Sequence, residues 1–199
     1  MDKATEIRAR ILDAAEGCLL DGGFRSGRLH STIAARAGLS RPTLYKYVGD
    51  QDAISNALIH RELTRFLELL APILEARAPI GEHLVTVLTF VVDRARNHPL
   101  LRAALRDVPE QVLPSFTTHA GVLIERVELV TRPHLQRRID SGELPDIDPR
   151  LLIDALSRVA ISMVFTNGLV DLTDPDTLRG YLGAVGLILN GTRSPSTTG

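Results

Sequence analysis

Ile33-Ala34-Ala35-Arg36-Ala37-Gly38-Leu39-Ser40-Arg41-Pro42-Thr43-Leu44-Tyr45-Lys46-Tyr47-Val48 reads as two short helices joined by a tight turn. Ile33, Ala34 and Ala37 share one apolar helical face. Gly38 stops that helix, because a residue without a Cβ takes the left-handed conformation cheaply. Ser40 stands where the next helix needs a cap, and Pro42 falls in its first turn, where the missing N–H matters little. Leu44 and Val48, one turn apart, face inward and leave Arg41, Thr43, Tyr45, Lys46 and Tyr47 for the surface. A short helix, a turn containing glycine and a second helix carrying basic, hydroxyl and phenol groups form a helix-turn-helix pattern. Its second helix is the one expected in a DNA major groove.

Composition agrees with a helical, folded chain. Of 199 residues, 44% are hydrophobic and only 4% aromatic, with Leu, Ala, Val and Ile supplying the apolar mass; this favours helix-on-helix packing over sheets. The first 66 residues carry 10 Lys and Arg against 8 Asp and Glu, the rest 13 against 16. The front is therefore the more basic part, as a DNA-binding segment requires. Cys18 is the only cysteine and lies in an apolar run, which fits a small core residue and excludes a disulfide framework. No signal peptide opens the chain and no stretch approaches the ~20 apolar residues of a membrane span, so a cytoplasmic location without membrane association is expected.

Outward from the opening stretch, residues 5–21 form a first helix, ended by Asp21-Gly22-Gly23-Phe24. Gly49-Asp50-Gln51-Asp52 makes a turn and a cap, and a longer helix follows with Ile54, Leu58, Ile59, Leu63, Phe66, Leu67 and Leu70 inward until Pro72 kinks or ends it. Further helices are expected at 80–97, from Pro99, at about 115–141 with an interruption at Pro133, at 149–169 and at 174–190. Residues 192–199 read as a flexible tail.

Taken together, Ile11-Leu12-Asp13-Ala14-Ala15, Gly23-Phe24, the helix-turn-helix stretch and Gly49-Asp50-Gln51-Asp52-Ala53-Ile54 resemble the N-terminal domain of the TetR family of helix-turn-helix transcriptional regulators. The resemblance covers about residues 5–60. It implies an all-α fold of about nine helices. A DNA-binding domain would occupy 1–50, a connecting helix 51–72, and a C-terminal helical bundle for ligand binding and dimerisation 73–191.

The expected DNA-facing set is Arg28, Ser31, Thr32, Ser40, Arg41, Pro42, Thr43, Tyr45, Lys46, Tyr47 and Gln51. Arg41 and Lys46 can donate to phosphates or guanine, and Thr43 offers a hydroxyl and a methyl to a base edge. The resemblance implies that both tyrosines approach the DNA backbone, with Tyr47 nearer the bases; packing of Tyr45 inside is the alternative. Ser31 and Thr32 either bring helix N-terminal amides to a phosphate or simply cap their helix. Two departures stand out. The spacing from Phe24 to Ile33 is one residue longer than the family's. Gln51 replaces the family's common lysine, removing about one phosphate contact per subunit from the salt dependence, which Arg28 or Arg25 would have to compensate.

For dimerisation the resemblance points to the last two helices. Leu152, Leu156, Val159 and Met163 on one, and Tyr181, Leu182, Val185, Ile188 and Leu189 on the other, form the expected interface, with Gly180, Gly183 and Gly186 allowing close approach; internal packing is the alternative. A palindromic operator read by two recognition helices one DNA turn apart also requires a homodimer. The resemblance places Phe90, Phe116, His119, Leu123, Val127, His134, Phe165 and Asn167 around an effector pocket, though a residue of any of these kinds is more often plain core or surface. Their apolar majority favours a small hydrophobic or amphipathic effector.

No nucleophile elbow, His-Glu-x-x-His or phosphate-cradling loop occurs, and the six histidines lack ligand spacing, so no catalytic residue, metal or cofactor is expected. The sequence thus points to a DNA-binding regulator, a repressor released from a palindromic operator by a small molecule. A DNA-binding dimer controlled by a protein partner, or acting without an effector, is the alternative.

Overall fold

A computed structural model of the chain describes residues 2–24 and 29–191, with side chains as far as residue 184. Among the described residues it is all-α, with no strand. Ten α-helices follow one another: α1 (Lys3–Gly22), α2 (Leu29–Arg36), α3 (Arg41–Val48), α4 (Gln51–Glu75), α5 (Ile80–Arg96), α6 (Pro99–Asp107), α7 (Pro109–Val112), α8 (Ala120–Asp140), α9 (Pro149–Phe165) and α10 (Pro175–Gly191), with a 3-10 turn at Leu113–Phe116. The expected tail at 192–199 lies outside the described residues.

Two compact units divide the chain, residues 1–66 with 98–118 and residues 67–97 with 119–199. This differs from the division expected from sequence in two ways. The first half of α4 does not stand apart, since Ile54 and Leu58 lie in the same core as Ile11, Ala15 and Leu19 of α1, Ile33 of α2 and Leu44 and Val48 of α3. Residues 98–118 join the first unit because α6 buries Leu100 in that core. The Asp107 carboxylate at the end of α6 also accepts the Phe24 N–H at 3.1 Å. Gly23 makes that contact possible: its φ is +74°, and a Cβ there would meet Asp107 Oδ2 at 2.6 Å.

A charge network fastens α4 within the first unit. The Arg61 guanidinium donates to Asp13 Oδ1 at 2.7 Å, to Glu16 Oε2 at 2.7 Å and to the Leu12 carbonyl at 3.2 Å, all on α1. Beside it, Glu62 Oε2 lies 3.3 Å from His98 Nε2, while His98 Nδ1 accepts the Leu101 N–H at 3.3 Å and so caps α6. The accepting Nδ1 leaves the proton on Nε2, which donates to Glu62. Cys18 is buried in the core, as expected of a small apolar residue there.

Neither Pro72 nor Pro133 ends its helix. α4 runs through the exposed Pro72 to Glu75. Just past its end, Arg138 donates to the carbonyls of Ala76 at 2.8 Å and Ala78 at 3.2 Å, tying this connection to α8. α8 likewise passes through Pro133, and it begins at Ala120 rather than near 115, because Leu113–Phe116 tightens into the 3-10 turn. α9 stops at Phe165. Ile59, expected inward, is exposed; Leu58 takes the core position of that turn.

In the second unit α5 packs on α9 and α10, and α9 packs on α8. Val92, Leu178 and Leu182 form the buried centre, with Val85, Leu88, Met163, Val164 and Leu172 against it. Arg96 donates twice to the Met163 carbonyl, at 3.0 and 2.6 Å, and so closes the C-terminal end of α9 on α5.

Candidate nucleic-acid interface

The turn between α2 and α3 is built as its sequence dictates. Gly38 takes a φ of +63°, and Leu39 N–H returns to the Ala34 carbonyl at 2.9 Å, closing α2. Ser40 caps α3: its hydroxyl accepts the Thr43 N–H at 3.3 Å and pairs with the Thr43 hydroxyl at 2.8 Å. With Pro42 in the first turn and Gly49 ending it, α3 needs only eight residues. Leu44 and Val48 plug it into the core of the first unit, so the opposite face is held outward.

That outward face carries Arg41, Pro42, Tyr45 and Lys46, all exposed, flanked by the half-buried Thr43. Tyr45 is 45% exposed and lies in a near-parallel stack on His30 of α2, with ring centroids 5.0 Å apart and planes 9° from parallel. Packing of Tyr45 into the interior is thereby excluded. Tyr47 is the inward tyrosine: half-buried, it rests on the core, and the Lys46 ammonium lies 5.8 Å above its ring. Replacing Tyr47 by alanine therefore removes packing as well as a phenol.

Ser31 is half-buried and Thr32 exposed at the start of α2, and Gln51 is exposed in the first turn of α4. Asp50 caps α4, its Oδ1 accepting the Ala53 N–H at 2.9 Å. The structure thus gathers α2's first turn and α3's outer face in one unit. Arg28 lies outside the described residues. His30 is the residue that sequence reasoning missed, since nothing local links it to a tyrosine fifteen positions on.

The residues expected around an effector pocket divide less cleanly. Phe90 on α5, Leu123, Val127 and His134 on α8, and Phe165 at the end of α9 are half-buried in the second unit. His119 and Asn167 are exposed, because α8 starts after the first and α9 ends before the second. Phe116 belongs to the first unit. The imidazole of His134 accepts from Arg137 at 2.8 Å, and burial followed by the charge of Arg137 holds it below the usual imidazole range, with Glu75 opposing. His83, on the first turn of α5 and 6% exposed, is lowered likewise, first by burial and then by Arg138. Among the described residues no group of three His, Cys, Asp or Glu side chains is placed to hold a metal ion, and no helix is long and apolar enough to cross a membrane.

Of the α9 residues expected at the dimer face, only Val159 is exposed. Leu151, 65% exposed, together with Ala155 and Val159, 43% exposed, makes the outward stripe, while Leu152, Leu156 and Met163 turn partly inward. Met163 packs against the α5–α10 core and Leu182 belongs to it, so neither is an outward-facing residue. Tyr181 is exposed as expected, and Cβ positions built on Gly180 and Gly183 meet nothing within 4 Å. The side chains of Val185, Ile188 and Leu189 lie outside the described residues.

No family model matches the chain. It is 36% identical over 103 residues to an uncharacterized HTH-type transcriptional regulator of Mycobacterium tuberculosis, Rv1255c, and spans about half the length of that relative (51% of this chain, 50% of the other). It is 30% identical over 164 residues, 81% of this chain and 82% of the relative, to an uncharacterized HTH-type transcriptional regulator of Mycobacterium bovis, Mb2274c. Among solved structures, the TetR family repressor AlkX of a Dietzia strain, implicated in biodegradation of n-alkanes, superposes with a TM-score of 0.60 at 26% identity, covering 92% of this chain and 95% of AlkX.

Proposed function

Because the chain belongs to the TetR family of helix-turn-helix transcriptional regulators, we propose that it is a cytoplasmic homodimeric repressor that occupies a palindromic operator and leaves it when a small hydrophobic or amphipathic effector binds. The observation that carries this reading is α3 itself: a capped eight-residue helix, plugged into the core through Leu44 and Val48, with Arg41, Tyr45 and Lys46 outward and Thr43 beside them. Arg41 and Lys46 supply phosphate or guanine contacts and Thr43 a base-edge contact, with Tyr45, Ser31, Thr32 and Gln51 on the flanking backbone. The stripe of Leu151, Ala155 and Val159, with the open glycine face of α10, pairs with its copy in the dimer.

The likeness to the repressor AlkX supports the repressor direction, and the apolar character of Phe90, Leu123, Val127 and Phe165 supports an apolar effector. The effector binds among α5, α8 and α9, against Phe90, Leu123, Val127 and Phe165. For release it must prefer a state in which the two recognition helices no longer match adjacent major grooves, a coupling of typically ~1–3 kcal/mol. α4 contributes to both units as one unbroken helix and is the element through which such a preference travels.

Selection from random duplex DNA tests the reading. The expected product is a palindrome whose half-sites lie one helical turn apart, about 34–36 Å; recovery of no enriched duplex overturns it. A thermal-shift screen of lipophilic compounds then tests the effector, and a stabilising compound that also dissociates the selected duplex is the expected result.

A further inference from the structure

We propose that His30 is a positioning residue for DNA reading: its ring is the platform on which Tyr45 is held ready for the duplex. The proposal rests on the reading that Tyr45 faces DNA. His30 and Tyr45 come from the two helices of the helix-turn-helix, and their rings stack at 5.0 Å with 9° between planes, within the range of favourable offset stacking. The platform is rigid, since its neighbours Leu29, Ile33 and Ala34 on α2 are all buried. The group it holds is exposed, and an exposed tyrosine with no neighbour would sample several rotamers. Holding it in one before the duplex arrives removes an ordering penalty from binding.

The chemistry of His30 argues that stacking is what the ring does in the free protein. Its Nε2 is enclosed and finds no hydrogen-bond partner among the described residues. Among the described residues the ring therefore makes its contact through its face rather than through that nitrogen. What the ring supplies instead is a flat face fixed to α2.

A double-mutant cycle on the selected duplex tests this, with melting temperature followed in parallel. His30→Ala frees Tyr45 and is expected to weaken binding by about 3- to 10-fold, the range set by ordering one side chain, with little change in melting temperature. His30→Phe keeps a flat face without the unpaired nitrogen, so it binds within about two-fold of the parent and rescues the loss. Once Tyr45→Ala has removed the group being held, adding His30→Ala costs no further affinity. Full additivity of the two alanine changes, or a His30→Phe variant as weak as His30→Ala, overturns the proposal. Failure of the parent chain to bind any selected duplex would instead overturn the DNA-binding reading, so the two failures are distinguishable.

Discussion

The recognition helix α3 and the late helix α9 use their side chains in opposite ways. α3 buries two residues, Leu44 and Val48, and turns a largely polar set outward. α9 buries Pro149, Ile153 and Ala160 and leaves Leu151 and Val159 facing out. A short polar helix on a shared core suits a hydrated, charged groove; apolar side chains left outside on a long helix suit another protein surface. One chain thus presents two surfaces of different chemistry, and the order in which damage to them shows up is itself predictable.

The largest effect is expected on the apolar side. Leu151→Glu with Val159→Glu places two charges in the proposed dimer face while leaving the buried residues of α9 untouched. The variant should sediment as a monomer, keep its helical signal, and lose about 10²- to 10⁴-fold in operator affinity, because two half-site contacts no longer act together. A variant that stays dimeric would place the interface elsewhere.

Next comes the core beneath α3. Leu44 is fully buried, so Leu44→Ala should destabilise the first unit by about 2–5 kcal/mol. Denaturant unfolding should then show this unit melting before the second, with DNA binding lost along with it. Equal melting of both units would mean that they unfold as one.

Charge on α3 gives a smaller and more specific effect. Arg41 and Lys46 are exposed and contribute little packing. Lys46→Ala should leave the melting temperature unchanged and reduce the slope of log affinity against log salt by about 2 per dimer, one phosphate contact per subunit. An unchanged slope with altered sequence preference would make Lys46 a base reader instead.

The two surfaces were not equally legible in the sequence, for a physical reason. Everything that shapes α2 and α3 is local: Gly38 needs its left-handed turn, Ser40 reaches three residues ahead, and Leu44 and Val48 repeat at one turn. Contacts of that range are read directly from spacing. α9 is apolar on more than one face, so periodicity could not say whether Leu151 or Leu152 points out; of the expected set only Val159 is exposed. The placement of α6 depends on Asp107 meeting Phe24, 83 positions earlier, and the His30–Tyr45 stack depends on how two helices cross. Neither leaves a mark in the spacing of residues. Pro72 and Pro133 were ambiguous for the opposite reason, since a local helix-breaking signal leaves open whether the helix ends there or continues around the ring, as both do.

The smallest effect separates the units by acidity. His83 is buried at the start of α5, and burial first, then Arg138 and His134, hold its imidazole below the usual range, with Glu143 opposing. The unfolded chain takes up this proton near the ordinary histidine value of about 6.5, while the folded chain resists it. Its contribution to stability is therefore intact above about pH 6.5 and is lost as the pH falls below that, since the unfolded state then binds more protons. His134, shifted the same way, adds to the loss. Melting temperature should accordingly fall between pH 7.5 and 5.5, and His83→Gln, which cannot titrate, should remove part of that fall. Operator affinity at fixed salt should respond far less to His83→Gln, because His83 lies in the second unit and the DNA-facing set in the first. If the substitution instead left the acid melting profile as it was and shifted the pH dependence of DNA binding, His83 would belong to the switch that couples the units rather than to the stability of one of them.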